Sequence, residues 1–133
     1  MIDVESLIIT PIAKAVRTEY ESAFVTSEYV KAPTQFPHIS IIESDNYMTI
    51  AHLDSADTER FATIMYEVNV YSNKTSGKKS ECRKIMNLID SMMYSMNFTR
   101  TALTPVPNLE DASIYRLTAR YRAETDGKTI YRI

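Results

Sequence analysis

Two histidines, one cysteine and a short run of carboxylates are the groups from which this 133-residue chain would have to build any catalytic or metal chemistry. Neither His38 nor His52 belongs to an H-x-x-x-H or H-E-x-x-H spacing, which would set two imidazoles on one helix face for a metal. Each is expected to be an ordinary polar or partly buried side chain. Cys82 shares its spacing with Ile85, Met86 and Ile89, so it reads as a small hydrophobe on an apolar stripe rather than a nucleophile. Asp54, Asp57 and Glu59 offer oxygen ligands of the kind hard cations prefer. Their spacing lacks the EF-hand pattern and its glycine, so a solvated acidic loop is expected, available as a projecting contact. No catalytic residue, metal ligand or cofactor is expected, and the chain is read as non-enzymatic.

The basic residues are more informative. Lys74, Lys78, Lys79, Arg83 and Lys84 gather at the start of a helical pattern, where cations oppose the macrodipole rather than complement it. The cluster around Lys78 and Lys79 is therefore a candidate contact for phosphate or an acidic neighbour. Arg116, Arg120 and Arg122 stand on one face of an alternating run with only Thr118 between them. Like charges on one strand face repel unless something compensates. Glu67 on a neighbouring strand, acids of a second subunit, or a polyanion would each serve, and arginine's planar fork suits interfaces.

The elements that must carry these residues follow from periodicity. Val4, Leu7, Ile8, Ile12, Ala15 and Val16 recur at helical spacing, with a kink or break expected at Pro11. Phe24 to Val30 suits a short strand, and Phe36 to Glu43 a second, ended by turn residues Glu43 to Asn46. In Phe61 to Ser72, Ile64, Tyr66, Val68 and Val70 face one way, and Thr63, Glu67 and Asn69 the other. A second helix carries Cys82, Ile85, Met86, Ile89, Met92, Met93 and Met96. Phe98 to Thr104 predicts a strand, and Pro105 to Asn108 an irregular segment, because two prolines deny ladder donors. Ser113 to Ala123 is a long strand, and Asp126-Gly127 turns the chain into a terminal strand over Lys128 to Ile133. The order predicts a single α+β domain, a mainly antiparallel sheet with two helices packed on one face.

Composition excludes several function classes. With only two glycines the chain holds neither GxGxxG nor GxxxxGK[ST], so dinucleotide-fold and P-loop chemistry are out. Fifteen Lys and Arg against seventeen Asp and Glu, a net charge of -2, argue against a dedicated nucleic-acid binder. A single cysteine removes any intrachain disulfide and points to a reducing compartment, and no apolar run approaches a membrane span. The expected setting is soluble, in a cytoplasm.

Three stretches carry a family resemblance: P-T-Q-F-P-H-I-S-I-I-E-S-D-N from Pro33 to Asn46, Y-E-V-N-V-Y-S-N-K from Tyr66 to Lys74, and P-V-P-N-L-E-D-A-S-I-Y-R-L-T-A-R-Y-R from Pro105 to Arg122. In their order and spacing the chain resembles the tail-terminator proteins of long-tailed, non-contractile bacteriophages, the lambda-terminator-like family. The resemblance implies an α/β subunit with an antiparallel sheet that assembles as a homohexameric ring. Such a ring caps the tail-tube protein, stops elongation and offers its other face to the head connector or stopper. Genomic DNA would pass through its lumen, and the location implied is the virion neck, after assembly in the host cytoplasm. Candidate interface or lumen residues are Arg116, Arg120, Arg122, Lys78 and Lys79. The loop of Asp54, Asp57 and Glu59 is the candidate contact for tube or connector. A head-completion or stopper protein is the neighbouring alternative. A small ligand-binding regulatory domain, its pocket lined by the Met-rich helix, is a further one.

Overall fold

The computed structural model describes residues 1–49, 61–107 and 111–133. Helix α1 (Glu5–Glu19) is followed by strands β1 (Phe24–Thr26), β2 (His38–Met48) and β3 (Ala62–Ser72). Helix α2 (Lys78–Ser95) and strands β4 (Thr99–Val106), β5 (Tyr115–Thr125) and β6 (Ile130–Tyr131) complete the chain. The sheet has six strands in the order β1-β2-β3-β5-β4, with β6 paired to β5. Among the described residues only β1 and β2 run parallel; the other pairings are antiparallel. This is the expected α+β fold.

Alternation along the strands decides which face is covered. Ile39, Ile41, Ile64, Tyr66, Val68, Val70, Leu117, Ala119 and Tyr121 point to one side. There they meet Ile8, Ile12 and Val16 of α1 and Cys82, Ile85, Ile89 and Met93 of α2, all buried in one cluster. Tyr66 and Phe98 meet edge to face within it, with ring centroids 5.8 Å apart. The methionines Met86 and Met93, which a ligand pocket would need on its walls, are packed into this core.

Five expectations require correction. Helix α1 runs through Pro11 without a break. Leu7 and Pro11 both lie on its exposed side, so the carbonyl that loses its amide partner is left to water rather than buried. Residues Glu43 to Asn46 are not a turn but the middle of β2, where the pairing with β3 shifts between Glu43 and Asp45. This bulge brings Glu43 and Asn46 to the same side as Tyr66. Asn46 Nδ2 donates to Glu43 Oε1 at 3.2 Å and to the Ile2 carbonyl at 2.8 Å, and Tyr66 Oη donates to Glu43 Oε1 at 3.3 Å. The bulge thus ties down the chain's first residues, and burial raises the Glu43 carboxyl above its ordinary range.

Pro105 sits inside β4, opposite Leu117. Among the described residues β4 is an edge strand paired on one side, the position in a sheet where a proline is tolerated. The Asp126-Gly127 pair does start the final turn, with Gly127 at φ 97°, but pairing resumes only at Ile130 opposite Thr125. The Asp126 carboxylate accepts the amides of Lys128 and Thr129 at 2.9 and 2.8 Å, which stretches the loop beyond two residues. The first strand is also shorter than expected, ending at Thr26.

The end of α2 is closed by Asn97 at φ 71°. The Phe98 amide returns to the Met93 carbonyl at 3.0 Å and the Asn97 amide to Tyr94 at 3.0 Å, the pairing of a Schellman cap. Arg132, next to the C-terminus, completes it: its guanidinium donates to the Tyr94 and Phe98 carbonyls at 2.7 and 2.9 Å and lies 4.2 Å over the Tyr94 ring. Arg132→Ala is expected to lower stability by about 1 kcal/mol, with faster amide exchange in the last turn of α2; urea unfolding and hydrogen exchange measure both.

Candidate functional site

The face of the sheet turned away from the helices holds the expected arginines, in rows set by strand register. His38, Tyr71 and Arg116 form one row across β2, β3 and β5. Ser40, Asn69 and Thr118 form the next, and Ile42, Glu67 and Arg120 the third. Arg122 stands opposite Met65 in the row beyond. Period-two alternation therefore brings Arg116, Arg120 and Arg122 to one surface, as the sequence implied.

Asn69 is the centre of this face and is completely buried. Its side-chain oxygen accepts Arg116 Nε at 3.0 Å, Arg116 Nη2 at 2.9 Å and the Thr118 hydroxyl at 2.7 Å. Its amide nitrogen donates to Ser40 Oγ and Glu67 Oε2, each at 3.2 Å. The guanidinium of Arg116 also lies 5.5 Å over the Tyr71 ring. Burial raises the Tyr71 phenol, while Arg116 pulls it the other way. Arg120 donates to Glu67 Oε1 from Nε and Nη2 at 3.3 Å, so Glu67 supplies part of the compensation. With the Arg120 side chain 60% exposed, this pair is screened and contributes little to folding.

The charge on this face is therefore only partly matched. Arg116 is held by a neutral amide and an aromatic ring, and exposed Arg122 has no hydrogen-bond or ion-pair partner among the described residues. Arg116 is kept in one orientation by three contacts, two to Asn69 and one to the Tyr71 ring, whereas Arg122 makes none among the described residues. Asn69, Ser40 and Tyr71 were not singled out by sequence as site residues. The available signal was Asn69's place on the polar side of β3, but which strands flank β3 is a matter of topology.

The other candidates lie elsewhere. Lys78 is at the first position of α2, where its ammonium donates to the Ser113 carbonyl at 3.3 Å, and Lys79 beside it is exposed. Glu81 offsets part of this charge: it meets Lys74 at 3.2 Å and accepts the Ser72 hydroxyl at 2.8 Å. The lysine cluster belongs to the helix layer, not to the arginine face. Asp54, Asp57, Glu59 and His52 lie outside the described residues. Among the described residues no group of three or more His, Cys, Asp or Glu is placed to hold a metal ion, and no helix is long and apolar enough to cross a membrane.

Cys82 is buried, with its thiol against the Val70 and Tyr115 carbonyls at 3.5 and 3.6 Å. Burial pushes its pKa up to about 12. It is expected to stay unreactive toward a thiol reagent at neutral pH until urea unfolds the chain; fast labelling of the native protein would show an exposed thiolate instead.

An open-sheet α+β domain, helices on one side and a partly neutralised arginine array on the other, is the class that fold and face define together. Neither a family model nor a curated protein sequence matches the chain.

Proposed function

We propose that the chain is a structural assembly protein of a long-tailed phage: a tail-terminator subunit that forms a homohexameric ring on the finished tail tube, halts elongation and joins the tail to the head connector. The observation that carries this reading is the arginine array on the sheet face turned away from the helices: Arg116 is held by neutral Asn69, Arg120 is paired with Glu67, and exposed Arg122 has no carboxylate partner among the described residues. Such a surface is suited to a neighbouring subunit's acids or to DNA phosphates in a lumen. Further support comes from where the resembling stretches fall. Pro33–Asn46, Tyr66–Lys74 and Pro105–Arg122 supply most of β2, the second part of β3 and most of β5, three strands that adjoin one another in the sheet. A ring needs a heterologous contact, two different patches on each subunit that meet around a closed circle. The arginine face is one patch. Occupying the docking face of the last tube ring would be enough to stop further addition, with no catalytic step.

The test is the solution mass by light scattering over a range of concentrations, with negative-stain images, repeated after mixing with purified tail tubes. Closed rings with a central hole, alone or on tube ends, are the expected result. A chain that stays monomeric at every concentration and leaves tube ends bare would overturn the reading.

A further inference from the structure

His38 occupies an unusual position for a titratable group. It is 2% exposed, and its Nε2 is the one buried side-chain nitrogen or oxygen without a hydrogen-bond partner among the described residues. Its ring is sandwiched between Phe24 of β1, with centroids 5.2 Å apart, and Tyr71 of β3, at 5.5 Å and nearly perpendicular. The wall on the β1 side is slight. β1 has three residues, pairs among the described residues with β2 alone through Phe24↔His38, Val25↔Ile39 and Thr26↔Ser40, and leaves Phe24 40% exposed. A short edge strand of this kind opens far more easily than the whole domain unfolds.

The geometry points to an acid-sensitive latch: protonation of His38 releases β1 from the sheet and lengthens the open edge of β2. The groups that face His38 offer an imidazolium no carboxylate, and its Nε2 finds no hydrogen-bond acceptor among the described residues. From β1 it meets the apolar ring of Phe24. From β3 it meets Tyr71, whose ring carries the cation of Arg116 from β5 at 5.5 Å and also feels the Tyr29 phenol and, more weakly, the Glu67 carboxylate of β3. Among the described residues no carboxylate shifts the imidazole, and burial holds it below its ordinary range. Once β1 swings away the ring is hydrated and titrates near 6.5.

The sign follows. A histidine whose pKa is depressed in the docked state favours docking above 6.5 and opposes it as the pH falls below. Glu43, whose carboxyl is raised by burial, works in the opposite sense and cannot mimic the effect. Among the described residues no strand pairs with the outer edge of β2 beyond Ser40, so release of β1 extends that free edge from Ile41–Met48 to His38–Met48. An edge of that length is a template for a further strand. The latch belongs to the isolated subunit and holds whether or not the ring forms.

The experiment is amide hydrogen exchange of Phe24 to Thr26 in the whole chain, corrected for intrinsic rate, at about pH 7.5 and about pH 5.5. Opening is expected to rise about tenfold between the two, the factor that one proton taken up near 6.5 by the open form supplies. In His38→Phe, which keeps a ring in the slot but cannot titrate, opening is expected to be the same at both values. Protection that does not change in the wild type, or that falls equally in the variant, would overturn the latch. Should the variant fail to fold, an NMR titration of the wild type decides. His52→Gln identifies the His38 resonance, and a midpoint below 6.5 shared with the β1 amides supports the latch. A midpoint at or above 6.5, or β1 amides indifferent to it, rejects it.

Discussion

Asn69→Ala is expected to destabilise the fold by roughly 3 kcal/mol, with the urea m-value unchanged. The side chain is fully buried at the middle of β3, and its removal strands partners on three sides. Arg116 loses the acceptor of both its Nε and Nη2, Thr118 loses its acceptor, and Ser40 and Glu67 lose a donor. Bonds to a charged group contribute about 1.5–3 kcal/mol each when made, and the larger part of the loss comes from leaving Arg116 and Thr118 unsatisfied. Thr118 is only 5% exposed, so water reaches it poorly. Equilibrium unfolding in urea measures the effect. A loss below about 1 kcal/mol would mean that solvent replaces these bonds freely and that the arginine face is not preorganised.

Arg122→Glu is expected to abolish ring formation while changing stability by no more than about 0.5 kcal/mol, as for an exposed surface residue. Its side chain is exposed, its register partner Met65 carries no charge, and nothing among the described residues binds it. Arg120→Glu is less clean. It sets a carboxylate against Glu67, where the ion pair of 3.3 Å now stands, so part of its effect falls on the fold itself. The contrast between the two is informative. If Arg122→Glu forms rings as readily as the wild type in light scattering and negative stain, while Arg120→Glu loses only stability, the face is ordinary surface. Loss of rings in Arg122→Glu at unchanged urea midpoint makes it an interface.

Both predictions concern residues whose individual placement was legible at different levels. The two-residue period of Phe61 to Ser72 and of Ser113 to Ala123 assigned Glu67, Asn69, Arg116, Arg120 and Arg122 to polar strand faces, because alternation is dictated by backbone geometry alone. The 3.6-residue spacing of Cys82, Ile85, Met86, Ile89 and Met93 likewise settled α2 and its buried stripe, and with them the α+β class. Local turn chemistry was a weaker guide. Glu43 to Asn46 has the composition of a turn, yet it is a bulge within β2, because Tyr66 and the Ile2 carbonyl give the side chains of Glu43 and Asn46 partners that a solvent loop would lack. Pro105 looked like a breaker and is an edge-strand residue, since whether a proline's missing donor matters depends on which neighbours the strand has.

By itself, then, the sequence determined the elements, their apolar faces, the absence of glycine-dependent nucleotide motifs and the existence of an arginine-bearing strand face. Tertiary structure alone decided that β5 lies between β3 and β4, and therefore that Glu67 meets Arg120 while neutral Asn69 receives Arg116. It also decided that His38 is walled in by Phe24 and Tyr71 rather than left polar and wet. Periodicity is a property of consecutive residues, governed by the backbone each residue shares with its neighbours. Pairing across 53 positions, as between Glu67 and Arg120, depends on strand order, and strand order is chosen by how the whole core packs.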